Sequence, residues 1–519
     1  MEGTIYSLIP AVIMLILVLV TRKVLLSLGT GIIVGALFIH DFNIVESLKE
    51  VWLVFYGIFV VDGSPNWGNI LLLVFLFLLG IMTAFLQASG GSRAFGEWMM
   101  KRVKTRAGAQ IMTGILGIII FIDDYFSSLS IGQIARPLTD RHRVSRAKLA
   151  YFIDSMAAPV TVLSPISSWG AYIIGILGGL FAANGITSMQ PIEAFIMMIP
   201  HNFYAIIAVL LVFIVAIFNF NIGPMRTHED RAVQTGELLD PKQNNVPGDL
   251  SDVFEPNKNG RVYHLIVPII MLFVATIVAM LVTGIQATEG KASIITAFAN
   301  TNVNLSLFIG GFMAVLTSAI FHFSQKQPRE NVGKIFVEGL KTMLPAINIL
   351  LLAWMVGSVI STLKIGAYLA EIVNNASINV SFIPIIFFAV TLLMSLATGT
   401  SWGTFGMMLP IGVEIMMHTD SQLLLPALAA ILSGSVFGDH CSPISDTTIL
   451  SATGAGSNHM DHVLTQLPYA IMSAIIAAIG FLVIGFTNQV VLALFVSVVL
   501  LAAAVFVQHL LIAKKTSVN

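Results

Sequence analysis

Four aspartates stand in an apolar chain at the places least able to solvate them. Asp439 and Asp446 bracket Ser442-Pro443-Ile444-Ser445, inside a stretch from Gly434 to Gly456 that also holds His440 and a run of Ser and Thr. Asp123 and Asp124 end the apolar run Gln110–Ile122 and lead into Tyr125, Ser127 and Ser128. An ionisable group at membrane depth is costly, so it faces a cavity and works there. Pro and Gly release backbone carbonyls from helical pairing, and carbonyls beside carboxylates and hydroxyls suit a hard cation. Asp439 and Asp446 are the expected ligands of a Na⁺ ion. His440 reads equally as a proton-linked group or as a local hydrogen-bonding partner of the broken backbone.

Membrane helices must position these groups. The chain has 519 residues, 56% of them hydrophobic and 10% charged, with a mean hydropathy of +0.90. That composition specifies a polytopic membrane protein embedded in a lipid bilayer. The net charge of −1 gives no case for a nucleic-acid partner. The single cysteine, Cys441, rules out an internal disulfide. Ile5–Val20 lacks a basic leader and a small-residue cleavage site, so it reads as a retained helix. No HExxH pair is present, and no GxSxG match reads as a defensible nucleophile elbow, so the expectation is a non-enzyme with no cofactor beyond the ions it moves.

Apolar runs at Ile70–Leu86, Ile192–Phe220, Val262–Val282, Leu305–Phe323, Met343–Leu363, Val463–Phe486 and Val490–Ile512 read as spans. Gly91–Arg106 mixes basic residues with Phe95, Trp98 and Met99, the pattern of a helix lying in the membrane surface. Basic clusters at 22–23, 93–106, 136–148, 226–261, 326–341 and 514–515 all belong on the cytoplasmic side. They fit there only if Ala109–Leu138 enters and leaves from the cytoplasm as a re-entrant hairpin, and Phe382–Met417 then does the same from outside. The division of the chain follows: N-terminal helices 1–61, a first transporter repeat 62–221, a polar cytoplasmic linker 222–261, scaffold helices 262–342, a second repeat 343–486, and a C-terminal helix 487–519.

Ser164-Pro165-Ile166-Ser167 recurs as Ser442-Pro443-Ile444-Ser445, 278 residues later, and the same offset sets Asp123 opposite Ser401. Each half reads as a span, an amphipathic segment, a hairpin with a polar tip, a helix broken at SPIS, and a span. The expected fold is all-α, with about 10–13 membrane elements in two inverted-topology repeats with re-entrant hairpins and broken helices. Such repeats bind substrate and ion near the midplane between them. A carboxylate there that accepts either Na⁺ or H⁺ exchanges the two by competition.

Other polar residues have two readings. Asp154 is either a coupling group or the partner of a basic residue such as Lys148 at the cytoplasmic end. His459, Asp461 and His462 have the composition of a metal site, but their place at the end of a helix reads better as a solvated turn. Trp169, Tyr172 and Trp402 would line a solute pocket, though Trp169 and Trp402 would serve equally as interface anchors. A passive channel is the weaker alternative to a carrier, because the two-fold relation lies within the chain rather than between subunits.

Phe437-Gly438-Asp439-His440-Cys441-Ser442-Pro443-Ile444-Ser445-Asp446-Thr447-Thr448 through Thr453-Gly454-Ala455-Gly456 resembles the NhaC-type Na⁺/H⁺ antiporter family. So do Thr398-Gly399-Thr400-Ser401-Trp402-Gly403-Thr404, His462-Val463 with Thr465-Gln466-Leu467-Pro468-Tyr469, and Asp124-Tyr125-Phe126. The resemblance runs from about residue 70 to 485 and places the chain in the wider ion transporter superfamily. It implies Asp439, Ser442, Ser445 and Asp446 at the ion or substrate site, with Thr398, Thr400 and Ser401 opposite, and by symmetry Ser164 and Ser167 at the first break. It also implies a prokaryotic inner membrane and a homodimer. The family includes carriers of malate and lactate, so the runner-up to Na⁺/H⁺ exchange is Na⁺- or H⁺-coupled transport of an amino acid or small carboxylate.

Overall fold

A computed structural model describes residues 3–516, apart from 22, 122, 166, 188, 243–253, 255–256, 289–292, 326–329, 365–367 and 369–378. Within the expected linker 222–261, residues 243–253 and 255–256 lie outside the described residues. The protein is an all-α polytopic membrane protein. Its described sheet is a two-stranded ribbon pairing Val60–Val61 with Ser64–Pro65.

In chain order the first half holds α1 (Ile9–Thr21), α2 (Val24–Ile39), α3 (Ile44–Phe59), α4 (Trp67–Ala88), α5 (Gly91–Met100), α6 (Arg106–Ile119), α7 (Asp124–Arg141), α8 (Arg146–Val162), α9 (Ser168–Ala183), α10 (Pro191–Met198) and α11 (Phe203–Phe218). α12 (Pro224–Gln234) begins the linker. The second half holds α13 (Tyr263–Ala287), α14 (Ile294–Ala299), α15 (Val303–Ser324), α16 (Val332–Thr362), α17 (Ile383–Thr398), α18 (Ser401–His418), α19 (Leu424–Cys441), α20 (Asp446–Ala455), α21 (His459–Thr487) and α22 (Val490–Thr516). Among the described residues eight helices are long and apolar enough to cross a membrane, or nine if the bent pair α10–α11 is one span. Shorter apolar helices, α2, α6 and α9 among them, add to these.

At each expected hairpin the chain forms two consecutive helices, and the 380–398 arm is long enough to cross a membrane by itself. α6 and α7 are separated at 120–123, and α17 and α18 at Gly399-Thr400. Both SPIS motifs break a helix. α8 and α19 start 278 residues apart, and so do α9 and α20. The local causes are the same on both sides. Pro165 and Pro443 cannot donate a backbone bond, and the next helix restarts on a serine cap. Ser167 Oγ accepts from Gly170 N at 2.9 Å, and Ser445 Oγ from Thr448 N at 3.4 Å. Gly399 ends α17 with φ +71°, against Ile444 of the second break; a Cβ there would lie 2.8 Å from the Ile444 carbonyl oxygen.

Burial follows the same plan. Every residue of α8 is buried, and α19 is buried along nearly its whole length. α22 leaves Phe495 65% and Val491 77% exposed, an apolar face suited to lipid. One expectation changes: the run read as a single span at 192–220 bends by 52° between His201 and Phe203. Pro200 cannot extend the α10 ladder, and Asn202 turns its side chain inward to accept from Ser433 Oγ at 2.6 Å.

Candidate ion site

Asp439 lies in the last turn of α19. The free carbonyls at that end of a helix favour a nearby cation. Its two oxygens accept from Ser401 Oγ, the first residue of α18, at 2.8 Å, and from Ser445 Oγ, the cap of α20, at 2.5 Å. Tip and break of the second half therefore meet on one carboxylate. Ser445 Oγ is also 2.9 Å from Thr447 Oγ1. Asp446 opens α20, where the N-terminal amides favour an anion. Its Oδ2 accepts from Tyr125 OH of the first hairpin at 2.9 Å and from Trp354 Nε1 of α16 at 3.4 Å.

The first half contributes the matching set. Asp123 Oδ2 accepts from Ser168 Oγ at 2.9 Å, and Asp124 Oδ1 from Trp169 Nε1 at 2.9 Å. Asp124 lies within electrostatic reach of Asp123 and Asp439, so tip and break from opposite halves converge. Asp123, Asp124 and Asp439 are almost fully buried, and Asp446 is partly buried. Among the described residues, no Lys or Arg ion pair reaches Asp124, Asp439 or Asp446. Their partners are hydroxyls and indoles. Asp124 Oδ2 is buried with no hydrogen-bond partner.

A second cluster lies behind the first. Asp154, midway along α8, accepts from Gln466 Nε2 at 2.6 Å and Ser451 Oγ at 3.2 Å, and lies 3.2 Å from His462 Nε2. Thr448 Oγ1 reaches it at 3.5 Å. Gln466 also holds the His440 carbonyl at 2.8 Å, which ties the cluster to the turn bearing Asp439. Two earlier readings fall here. Lys148 does not meet Asp154; it pairs with Glu229 at 3.1 Å and with Asn221 at 2.9 Å. Six positions apart on one helix, the two residues point to different faces. Nor is 459–462 a solvated turn: His459, Asp461 and His462 are 5%, 7% and 0% exposed. They do not form one site either, since His459 Nε2 bonds Pro443 O at 2.7 Å while His462 turns to Asp154.

The remaining expected residues divide. Ser442 Oγ bonds Leu396 O at 2.9 Å and pins the second break to α17. Ser164 and Thr398 bond back to their own helices, at Val160 O (2.8 Å) and Met394 O (2.9 Å), and Ser167 caps α9. Thr400 stands before α18 and offers its carbonyl to Thr404 Oγ1 at 3.1 Å. His440 Nδ1 pairs with Tyr204 OH at 3.1 Å, away from the four aspartates. Trp169, Tyr172 and Trp402 do meet: ring centroids lie 5.8 Å apart for Trp169–Trp402 and 4.9 Å for Tyr172–Trp402. Trp169 is 0% exposed, so it is no interface anchor. Ser168 and Trp354 were not expected at the site; each is a polar-tipped side chain in an apolar helix, a signal easily lost in a single sequence.

Residues 160–486 match the profile described as the Na⁺/H⁺ antiporter family. An uncharacterized protein of Haemophilus influenzae is 44% identical over 94% of this chain and 92% of its own length. A malate-2H⁺/Na⁺-lactate antiporter of Bacillus subtilis is 34% identical over 37% of this chain and 40% of its own. The Na⁺/H⁺ antiporter NhaC of Alkalihalophilus pseudofirmus is 28% identical over 33% of this chain and 37% of its own.

Proposed function

The chain belongs to the Na⁺/H⁺ antiporter family, and from that premise we propose that it exchanges Na⁺ for H⁺ across a prokaryotic inner membrane, by alternating access around Asp439 and Asp446. The observation that carries this reading is the set Asp124, Asp439 and Asp446, whose hydrogen-bond partners among the described residues are hydroxyls and indoles rather than lysines or arginines. A buried charge left without a counter-charge costs several kcal/mol. A cation or a proton removes that cost, and the two cannot occupy one carboxylate together. Ser401 and Ser445 suit the exchange because a hydroxyl both donates and accepts. With the site empty they donate to Asp439; with Na⁺ present the same oxygens turn their lone pairs to the ion. Ser401 comes from the hairpin of repeat 343–486 and Tyr125 from the hairpin of repeat 62–221, so motion of one repeat against the other changes the coordination. Inverted orientation of the two repeats would make the site reachable from each side in turn.

The aromatic group Trp169, Tyr172 and Trp402 favours a second reading. It stands beside Asp124, whose Oδ2 has no partner, and would wall a pocket for an amino acid or small carboxylate moved with Na⁺ or H⁺. The malate–lactate relative supports keeping it.

Proteoliposomes with an internal pH dye separate the two. Under an imposed proton gradient, Na⁺ alone is expected to dissipate the gradient, and K⁺ is not. Dissipation that requires an added amino acid or small carboxylate would overturn simple exchange and establish the coupled carrier.

A further inference from the structure

α2 runs from the basic 22–23 side to His40, and α4 runs back toward the basic 93–106 segment. α3 lies between them, and the ribbon Val60–Val61/Ser64–Pro65 returns its far end to the start of α4. Both ends of α3 therefore lie on one face, opposite the basic loops. Beneath α3 is a cavity of about 360 Å³, walled by Glu50, Val54 and Gly57 of α3, Asn69 of α4, and Trp354 and Ser358 of α16. It has room for on the order of ten waters, enough for a cation that keeps most of its hydration shell.

The wall is graded. Glu50 is at the α3 side, its Oε2 3.3 Å from His40 Nε2, and it is the acidic residue of the lining. Asn69 is held by Nδ2 on Ile58 O at 3.1 Å. Ser358 is one helical turn from Trp354 on the same face of α16. Trp354 is eight residues before the end of α16, roughly 12 Å below it. Its indole N–H reaches out of the cavity to Asp446 Oδ2, the oxygen that Tyr125 also holds. One side chain thus separates a cavity with an acidic wall from the Asp446 carboxylate. Its ring offers a cation a favourable face while its N–H occupies the ligand atom that the cation needs.

We infer that this cavity is an outer cation station: Glu50 receives the hydrated monovalent cation, and Trp354 controls its passage to Asp446. The inference takes the identity of the ion from the exchange reading. A carboxylate at a concave mouth concentrates cations there, and withdrawal of the indole removes one of the two donors on Asp446 Oδ2, leaving Tyr125 OH as the other. Glu50 then sets the affinity for Na⁺ on the outer side alone.

The test uses the full-length protein in vesicles of known orientation. Val54→Cys, on the apolar wall, is treated from outside with a membrane-impermeant cationic methanethiosulfonate; wild type is the control, because Cys441 is buried. The expected result is labelling at Val54→Cys and a flux loss of about tenfold or more on labelling, with wild type unaffected. Glu50→Gln is expected to raise half-saturating external Na⁺ about threefold to tenfold, with maximal flux and cytoplasmic half-saturation unchanged. Trp354→Phe keeps the ring and loses the N–H, so it is expected to change the ratio of outward to inward rates. The station is overturned if Val54→Cys is not labelled from outside, if it is labelled without loss of flux, or if Glu50→Gln shifts both sides equally. A wild type with no Na⁺-driven flux would count against the exchange reading instead; labelled Val54→Cys is then read against solute-driven flux, where a block supports the station and no block removes it.

Discussion

In the first half the carboxylates stand on the hairpin tip, and in the second they stand in the broken helix. Asp123 and Asp124 occupy the tip between α6 and α7, while the first break answers with Ser168 and Trp169. At the same 278-residue offset the second tip supplies Ser401 and Trp402, and the second break supplies Asp446, with Asp439 just ahead of it. A serine–aspartate bond closes each gap, though not at equivalent positions: Ser168 to Asp123 is 2.9 Å, and Ser401 bonds Asp439 at 2.8 Å while Asp446, the offset partner of Ser168, is held by Tyr125 and Trp354. What each gap between tip and break needs is one charged acceptor and one donor, and either element can carry either. The consequence is that charge from both halves converges on one region. In the proposed exchange, an ion held there would take ligands from both halves.

The largest expected effect separates the two kinds of carboxylate. Asp439→Asn keeps the volume and removes the charge on which the second tip and break close. Na⁺-driven proton flux is expected to fall about a hundredfold, roughly 2.8 kcal/mol in apparent coupling, with folded protein still in the membrane. Asp123→Asn is expected to lose about tenfold, with Na⁺ still preferred over K⁺. Equal losses would make tip-borne and break-borne carboxylates equivalent and dissolve the comparison. Wild-type flux in Asp439→Asn would remove the second break from the mechanism.

Asp154 belongs to neither tip nor break, and it joins the halves. It sits on α8 and takes its donors from α20 and α21. Asp154→Ala leaves the Gln466, Ser451 and His462 groups buried without that acceptor, at about 1–3 kcal/mol for each donor left unmet. A thermal midpoint lowered by several degrees in detergent is expected, with Na⁺ preference over K⁺ retained in whatever flux remains. A lost ion preference at an unchanged midpoint would move Asp154 from the frame into the ion site.

The two serines give a smaller and sharper contrast. Ser401→Ala and Ser168→Ala each delete one hydrogen bond to a carboxylate, worth about 0.5–1.5 kcal/mol net and somewhat more to a charged acceptor. Half-saturating Na⁺ is expected to rise about threefold to tenfold in Ser401→Ala and less in Ser168→Ala, because in the proposed site at Asp439 the Ser401 hydroxyl would supply an ion oxygen. A larger effect at Ser168 would place the tighter cation site in the first half.

Much of this arrangement is legible in the sequence, for physical reasons. Polar tips and SPIS breaks stand out because an apolar helix has no use for them, and the repeat emerges because both breaks use the same proline and serine cap. Asp123, Asp124, Asp439 and Asp446 follow from the same contrast. Asp154 was legible in part: six positions from Lys148 on one helix, it could not share a face with it. Its true partners lie 294 to 312 residues away, a separation that no local pattern encodes. His459 and His462 read as a wet helix end because composition cannot tell a polar turn in water from one buried against Pro443 and Asp154. Trp354 was hidden for the opposite reason, since one indole in a long apolar span is unremarkable until its N–H is seen on Asp446.

The smallest effect on transport is expected outside the membrane, where the halves differ again. The first half is clamped to the linker by Glu229 of α12, buried against Lys148 and Arg106, with Ser145 N donating to Glu229 Oε1 at 2.9 Å. Burial pushes the Glu229 carboxyl up, but the Lys148 ammonium and the Arg106 guanidinium together outweigh it and hold the group below its ordinary value of 4.5. A carboxyl depressed in the folded state adds stability above its ordinary pKa, and that stability is lost as pH falls through the depressed value. Glu229→Gln removes one partner of a buried pair, roughly 3–5 kcal/mol, and is expected to lower the thermal midpoint at pH 7 while leaving Na⁺-driven flux within about twofold, the flux scale being that of a fraction of a kcal/mol. The gap to wild type is expected to narrow as pH drops below about 4.5, where wild type loses the same charge. A gap that stays constant with pH would mean that Glu229 acts by packing, and that the clamp on the first half is not electrostatic.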